Sequence, residues 1–112
     1  MRTLRRPWQF REVYRTGRKI DCKYAIVFYR RTGVPEGEPQ FGFVASKHVG
    51  NSVKRNRAKR LLREVVRKHA DRFQYEDLWV VLVARADLLN ATFQDISAEV
   101  DARLAAAGLI DI

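Results

Sequence analysis

Apolar residues along this chain recur with two spacings, one helical and one extended, and the alternation between them divides the sequence into elements. After Pro7, a residue suited to a first helical turn, Phe10, Val13 and Tyr14 recur every three or four positions until Gly17 offers a stop. That spacing predicts a helix of about ten residues. From Tyr24 to Arg30 the pattern alternates, with Tyr24, Ile26 and Phe28 on one face and Ala25, Val27 and Tyr29 on the other. Both sets are apolar or aromatic, so a strand covered on both sides is expected. Thr32 to Pro39 holds two Gly, two Pro and two Glu, a turn composition, before Phe41 to Ala45 resumes as a strand. The two strands are expected to pair as a hairpin with a loose loop. Gly50, Asn51 and Ser52 supply a stop and then an N-cap, and Val53 to His69, free of Gly and Pro, reads as a helix. Leu78 to Ala84 is short, β-branched and apolar throughout, a strand buried on both faces. Phe93, Ile96, Val100, Leu104 and Ala107 then step helically between a Thr92 cap and a Gly108 stop.

With 112 residues, 46% of them apolar, residues 1–112 are expected to form a single domain. Folding at this length removes about two-thirds of the extended chain's surface, enough for a core without staples. The lone Cys22 can form no internal bridge, and with two His it supplies neither a zinc set nor a redox pair. The longest strongly apolar run, Leu78 to Ala84, falls far short of the ~20 residues that cross a bilayer. No apolar segment follows the N-terminal arginines as a secretory signal would require. A cytoplasmic location is expected.

Charge changes the picture more than composition does. Residues 1–20 carry seven bases and one acid, 21–45 three of each, 46–72 ten and two, and 73–112 two and seven. The net charge of +9 is therefore the remainder of strongly segregated blocks. Gathering like charges opposes folding, and its natural use is to face a polyanion. Nucleic acid is the first candidate. A membrane surface would need a basic helix whose other face is free to enter lipid, whereas the apolar faces here are needed for the core.

The second helix concentrates this signal. Turning 100° per residue from Val53, Ala58, Leu61, Leu62, Val65 and Val66 fall within roughly 80° to 220° and form the core face. Lys59, Arg63, Asn56, Arg67 and Arg60 fill the arc from roughly 240° to 340°, with Arg55 and Arg57 at its edges. An ordinary solvated face would intersperse signs. Instead Arg55, Lys59, Arg63 and Arg67 form an i, i+4 ladder of like charge, forgoing about 1 kcal/mol with no gain in folding. This face is expected to meet phosphate oxygens, with Asn56 offering a neutral hydrogen bond and backbone donors at the helix start near Lys47, His48 and Lys54.

The run from Phe43 to Glu64 carries a Ser-Lys-x-x-Gly-x-x-Val turn, Ser46 to Val53, leading into Arg-Asn-x-x-Lys-Arg-x-x-Arg, Arg55 to Arg63. It closely resembles the Arg-Asn-Arg signature of the bacterial ribonuclease P protein subunit. Leu4, Phe10, Val13, Tyr14 and Gly17 follow the same family's N-terminal pattern, so the resemblance spans roughly residues 4–84. Residues 73–112 carry two bases and seven acids, so contacts of the family's frequent basic C-terminal extension are not expected from them. The resemblance implies an α/β fold of α+β two-layer type, in the order α-β-β-β-α-β-α. It further implies a left-handed β-α-β crossover, similarity to a small-subunit ribosomal protein domain and a short extra strand near Lys19 and Ile20. It implies that the basic helix binds a catalytic RNA, that this RNA cuts the phosphodiester with Mg²⁺ held mainly by itself, and that the protein aids release of the 5′ leader from precursor tRNA.

Phe10 and Tyr14 on the first helix, and Phe28 on the strand, could simply fill a core. The basic residues around them, Arg11, Arg15, Arg18 and Lys19, suit instead a groove for unpaired nucleotides. In the resembling family such a groove binds the leader, and Phe10, Tyr14 and Phe28 match its aromatic positions, with Arg11 and Arg15 at the rim. Strand register could exchange Phe28 for Tyr29. Phe41, Phe43 and Trp79 are expected in the core, and Trp8 has no assignment.

A protein ribonuclease would need an acid–base pair or a carboxylate metal set. His48 lies before the basic helix and His69 near its end, about 30 Å apart along a continuous helix. His48 is expected to contact RNA and His69 to be structural. No catalytic residue and no metal ligand is assigned to the chain, and neither a membrane nor DNA is expected as a partner. Two alternatives remain: a ribosomal or other structured-RNA binding protein without a processing role, and an autonomous endoribonuclease built on His48 and nearby Lys.

Overall fold

The computed structural model describes residues 1–111. In chain order the elements are β1 (Arg2–Thr3), α1 (Pro7–Thr16), β2 (Arg18–Asp21), β3 (Ala25–Arg31), β4 (Gln40–Val44), α2 (Ser52–Arg67), β5 (Leu78–Ala84) and α3 (Phe93–Ala106). Single 3₁₀ turns occupy Ala70–Arg72 and Leu88–Asn90. The order expected from the resemblance is present, preceded by the two-residue β1, which is too short to leave a periodic signal.

One five-stranded sheet runs in the order β1-β4-β5-β3-β2. β4 is parallel to both β1 and β5, and β3 is antiparallel to β5 and β2. The expected hairpin between β3 and β4 does not form, because β5 lies between them. β5 is apolar on both faces and gains most by taking the centre of the sheet. The eight residues of 32–39 easily reach across one intervening strand, about 10 Å from β3 to β4. The true hairpin joins β2 to β3 through a tight connection in which the Cys22 N–H donates to the Ala25 carbonyl at 3.0 Å.

Helices cover both faces, so a third layer is added to the two expected. Leu4 and Val13 pack with Val81 on one side, joined by Phe10, Phe28, Val44, Trp79 and Val83. On the other side Ala58, Leu62, Val65 and Val66 of α2 and Ile96, Val100 and Leu104 of α3 enclose Val27, Phe41, Val80 and Leu82. The cause lies in the double-sided apolar pattern of β3 and β5, which leaves neither face fit for water.

Local chemistry sets the helix ends. Asn51 rather than Ser52 caps α2, its side-chain oxygen accepting from the Lys54 N–H at 3.0 Å. The helix closes at Arg67, two residues before the expected end. Beyond it, His69 Nε2 lies 2.7 Å from Asp101 Oδ2, and Lys68 Nζ donates to the buried Ser97 hydroxyl at 3.0 Å. These contacts fasten the end of α2 to α3. Thr92 caps α3 as expected, accepting from the Asp95 N–H at 3.1 Å.

Candidate nucleic-acid interface

The core face of α2 is the one expected: Ala58, Leu62, Val65 and Val66 are buried and Leu61 is half-buried. Lys54, Asn56, Arg57, Arg60 and Arg67 are exposed, while Arg55, Lys59 and Arg63 are half-buried along the flank nearest the sheet. The Arg63 guanidinium sits 5.3 Å from the centre of the Phe43 ring, which braces its stem and leaves its charge at the surface. Arg55 donates to the Gly50 carbonyl at 3.3 Å. Of the seven Lys and Arg on α2, only Arg67 pairs with a carboxylate among the described residues, that of Glu64. Lys47 and His48 stand exposed in the turn that links β4 to α2. That turn is closed by Val49 and Gly50 N–H groups donating to the Ser46 and Lys47 carbonyls. Gly50 adopts φ +141°, where a side chain would strain the backbone and strike Lys54.

The aromatic residues gather on the opposite face of the sheet. Register settles the choice between neighbours: Phe28 pairs with Val81 on the α1 side, and Tyr29 packs against the α2 side. Tyr24, one residue before β3, also turns to the larger core. Tyr14 is 42% exposed and meets Phe28 edge-on, with ring centres 5.0 Å apart. Partial burial raises the Tyr14 phenol above its ordinary pKa, so the ring stays neutral. Phe10 lies directly over Gly42, where any side chain would overlap its ring. A glycine inside a strand pattern is the sequence signal for such a close approach. Arg11 is exposed and makes no ion pair among the described residues, whereas Arg15 is engaged by Glu12, which also takes Arg30 at 2.7 Å. The Arg15 hydrogen bond foremost, then the two positive charges, hold the Glu12 carboxyl below the usual carboxylate range despite partial desolvation.

The two surfaces come nearest to each other at β4. β1 covers β4 only at Gln40 and Phe41, leaving its outer edge open from Gly42 onward. Phe43 then faces α2, beneath Arg63, and its neighbour Val44 faces the α1 side. The basic flank therefore lies across the sheet from Phe10, which covers β4, while Tyr14 and Phe28 lie two strands further in, over β3.

Several other titratable groups are committed to structure. His69 and Asp101 are mostly buried and bonded to each other, so His69 is structural as expected. Burial opposes the Asp77 charge, yet the Gly33 N–H and Arg31 guanidinium hold its carboxyl below the ordinary range. Glu99 accepts from the Lys23 N–H and from Arg103. Among the described residues no three His, Cys, Asp or Glu side chains converge as a metal set. No helix among them is long and apolar enough to cross a membrane.

A family model described as Ribonuclease P matches residues 1–108. The chain belongs to the ribonuclease P protein family. The ribonuclease P protein component of Nitratiruptor sp. is 36% identical over 99 residues, covering 88% of this chain and 85% of that protein. That of Natranaerobius thermophilus is 42% identical over 89 residues, covering 79% and 76%. The ribonuclease P protein of Staphylococcus aureus superposes with a TM-score of 0.85 at 20% identity, covering 99% of both chains. That of Thermotoga maritima gives 0.77 at 20% identity, covering 91% and 94%. At such identities the structural likeness speaks to the fold. Membership makes this chain the protein component of the endoribonuclease ribonuclease P, an RNA-binding protein of tRNA processing whose implied partner is an RNA subunit. It replaces both the ribosomal and the autonomous-nuclease alternatives.

Proposed function

We propose that α2 and the turn before it dock on the catalytic RNA, through Lys47, His48, Lys54, Arg55, Asn56, Arg57, Lys59, Arg60, Arg63 and Arg67. The groove beside α1, built from Phe10, Tyr14 and Phe28 with Arg11 and Arg15 at its rim, takes the 5′ leader of precursor tRNA. The observation that carries this reading is a cationic flank left almost unneutralised by the chain's own carboxylates. Six cations on one helix without a carboxylate partner among the described residues are more than folding calls for, but they offset phosphate repulsion where two RNA strands approach. The aromatic groove lies on the opposite face of the same sheet, with Phe10 over β4 and Tyr14 over β3, so both RNAs can be held against one thin scaffold. Stacking on Tyr14 and Phe28 tolerates any base, as a leader of variable sequence requires. Chemistry belongs to the RNA subunit in this reading, which also holds Mg²⁺ for the most part; the protein lowers the magnesium demand by supplying positive charge. Residues 1–112 act as one RNA-binding domain in the cytoplasm.

The test is reconstitution of the chain with its cognate RNA subunit at low Mg²⁺. The protein should stimulate precursor cleavage, and Phe10→Ala with Tyr14→Ala should weaken substrates with a long leader while sparing those with a one-nucleotide leader. Equal loss on both substrates would remove the groove from leader recognition.

A further inference from the structure

We infer that a second nucleotide site lies on the opposite flank of α1, where Arg5, Arg6 and Gln9 take a phosphate and Trp8 stacks on the base of an unpaired RNA nucleotide. The inference does not depend on the leader groove and survives if that groove fails.

The two flanks of α1 face different rows of the sheet. Phe10 and Tyr14 lean on Gly42 and Phe28, whereas Trp8 and Glu12 lean on Trp79 and Arg30. At the start of this second flank an open cavity of about 510 Å³ is lined by Arg2, Arg5, Arg6, Gln9 and Gln40 among others. Its chemistry is that of an anion receptor. Arg2 is occupied by Glu36, donating to its carbonyl at 3.0 Å, and Gln40 donates to the Glu36 carboxylate. Arg5 and Arg6 make no ion pair among the described residues. The Gln9 side-chain oxygen accepts the N–H groups of Arg5 and Arg6 at 3.1 and 3.0 Å, which turns the amide NH₂ outward with its donors unspent. The cavity thus combines two unpaired guanidinium groups with a pre-oriented amide donor, a set suited to phosphate oxygens.

Trp8 supplies the second half. It is 51% exposed, yet its ring is fixed by Trp79, centre to centre 5.6 Å and inclined 63°. Trp79 is the direct cross-strand partner of Gln40 in the cavity wall, so the indole stands beside the phosphate site. A large aromatic ring fixed by one neighbour and half exposed to water can serve as a stacking platform. Arginine next to such a ring favours an RNA nucleotide over a simple inorganic anion.

The nucleotide could come from the RNA subunit or from precursor tRNA, and two arms separate them. Salt-dependent affinity is measured for the chain with the RNA subunit alone and for the reconstituted holoenzyme with precursor tRNA. Arg5→Ala with Arg6→Ala should lower the log–log salt slope by about 1.4 in the arm that owns the site, given ~0.7 per single-strand phosphate contact. Trp8→Ala should weaken the same arm about fivefold or more, the lower end of one base stack. Trp8→Phe, which keeps a ring, should restore most of that loss, with circular dichroism confirming the fold of every variant. Wild-type slope and affinity in both arms would overturn the inference. So would a Trp8→Phe loss as large as that of Trp8→Ala, which would mark a packing role only.

Discussion

Replacing Arg55, Arg57 and Lys59 together by Ala separates the electrostatic role of α2 from its structural one, because binding and stability should move in opposite directions. None of the three makes an ion pair among the described residues, and the one hydrogen bond lost is that from Arg55 to the Gly50 carbonyl at 3.3 Å, near the limit of such contacts. On the stability side, the substitutions erase the like-charge pairs Arg55–Lys59 and Lys59–Arg63, each worth about 0.2–0.5 kcal/mol of repulsion. Alanine is also the best helix former. The variant should unfold at the wild-type temperature or a few degrees above it.

On the binding side, three phosphate contacts removed should lower the log–log salt slope by about 2.1 if the contacted RNA is single-stranded and about 2.7 if it is duplex-like. Between about 50 and about 200 mM salt, the wild-type protein should then lose roughly 20- to 40-fold more affinity for the RNA subunit than the variant does. Filter binding across that range gives the slope, and thermal denaturation of the free protein gives the stability. An unchanged slope in a correctly folded variant would refute docking through this flank. A lower slope accompanied by a lower melting temperature would mean that these three side chains act on the fold.

Asn51→Ala should cost about 1 kcal/mol in urea unfolding through the lost cap, while Ser52→Ala changes little; the reverse ranking would place the cap wrongly. Gly42→Ala should destabilise by about 1–3 kcal/mol because the added methyl meets the Phe10 ring, and Phe10→Leu in the same chain should recover part of that loss. Burial, aided by the nearby Glu99 charge, pushes the Cys22 thiol up to about 11, so alkylation at neutral pH should be slow until the protein is unfolded. A folded-state pKa above the unfolded one contributes stability that is present at neutral pH and lost as the pH rises toward 11. Cys22→Ala should therefore show a shallower alkaline loss of stability than wild type, and identical pH profiles would contradict the buried thiol.

Much of this was legible in order along the chain. The strand Leu78–Ala84 and the helix starting at Pro7 coincide with their expected bounds, because a fully apolar run and a proline-led amphipathic turn are local signals. The basic flank of α2 was legible for the same reason: helical geometry alone places Arg60 opposite Leu62 and sets Arg63 and Lys59 beside it on one flank. Pairing was not legible. A sequence shows that β3 and β4 are strands joined by a turn-rich loop, but not that β5, more than thirty residues later, intervenes. Trp8 carried no sequence signal either, since its partner Trp79 lies on a distant strand.

By itself, then, the sequence determined the three helices and the three longer strands, which helix face is buried, and that one flank carries phosphate-seeking charge. These follow from backbone periodicity and from the sign of side chains a turn apart. Tertiary structure decided the strand order, the choice of Phe28 over Tyr29 beside Tyr14, and the placing of basic flank and aromatic groove on opposite faces of one sheet. Those depend on the competition among strands for the two-sided centre of the sheet, a contest settled by long-range burial that no local pattern records.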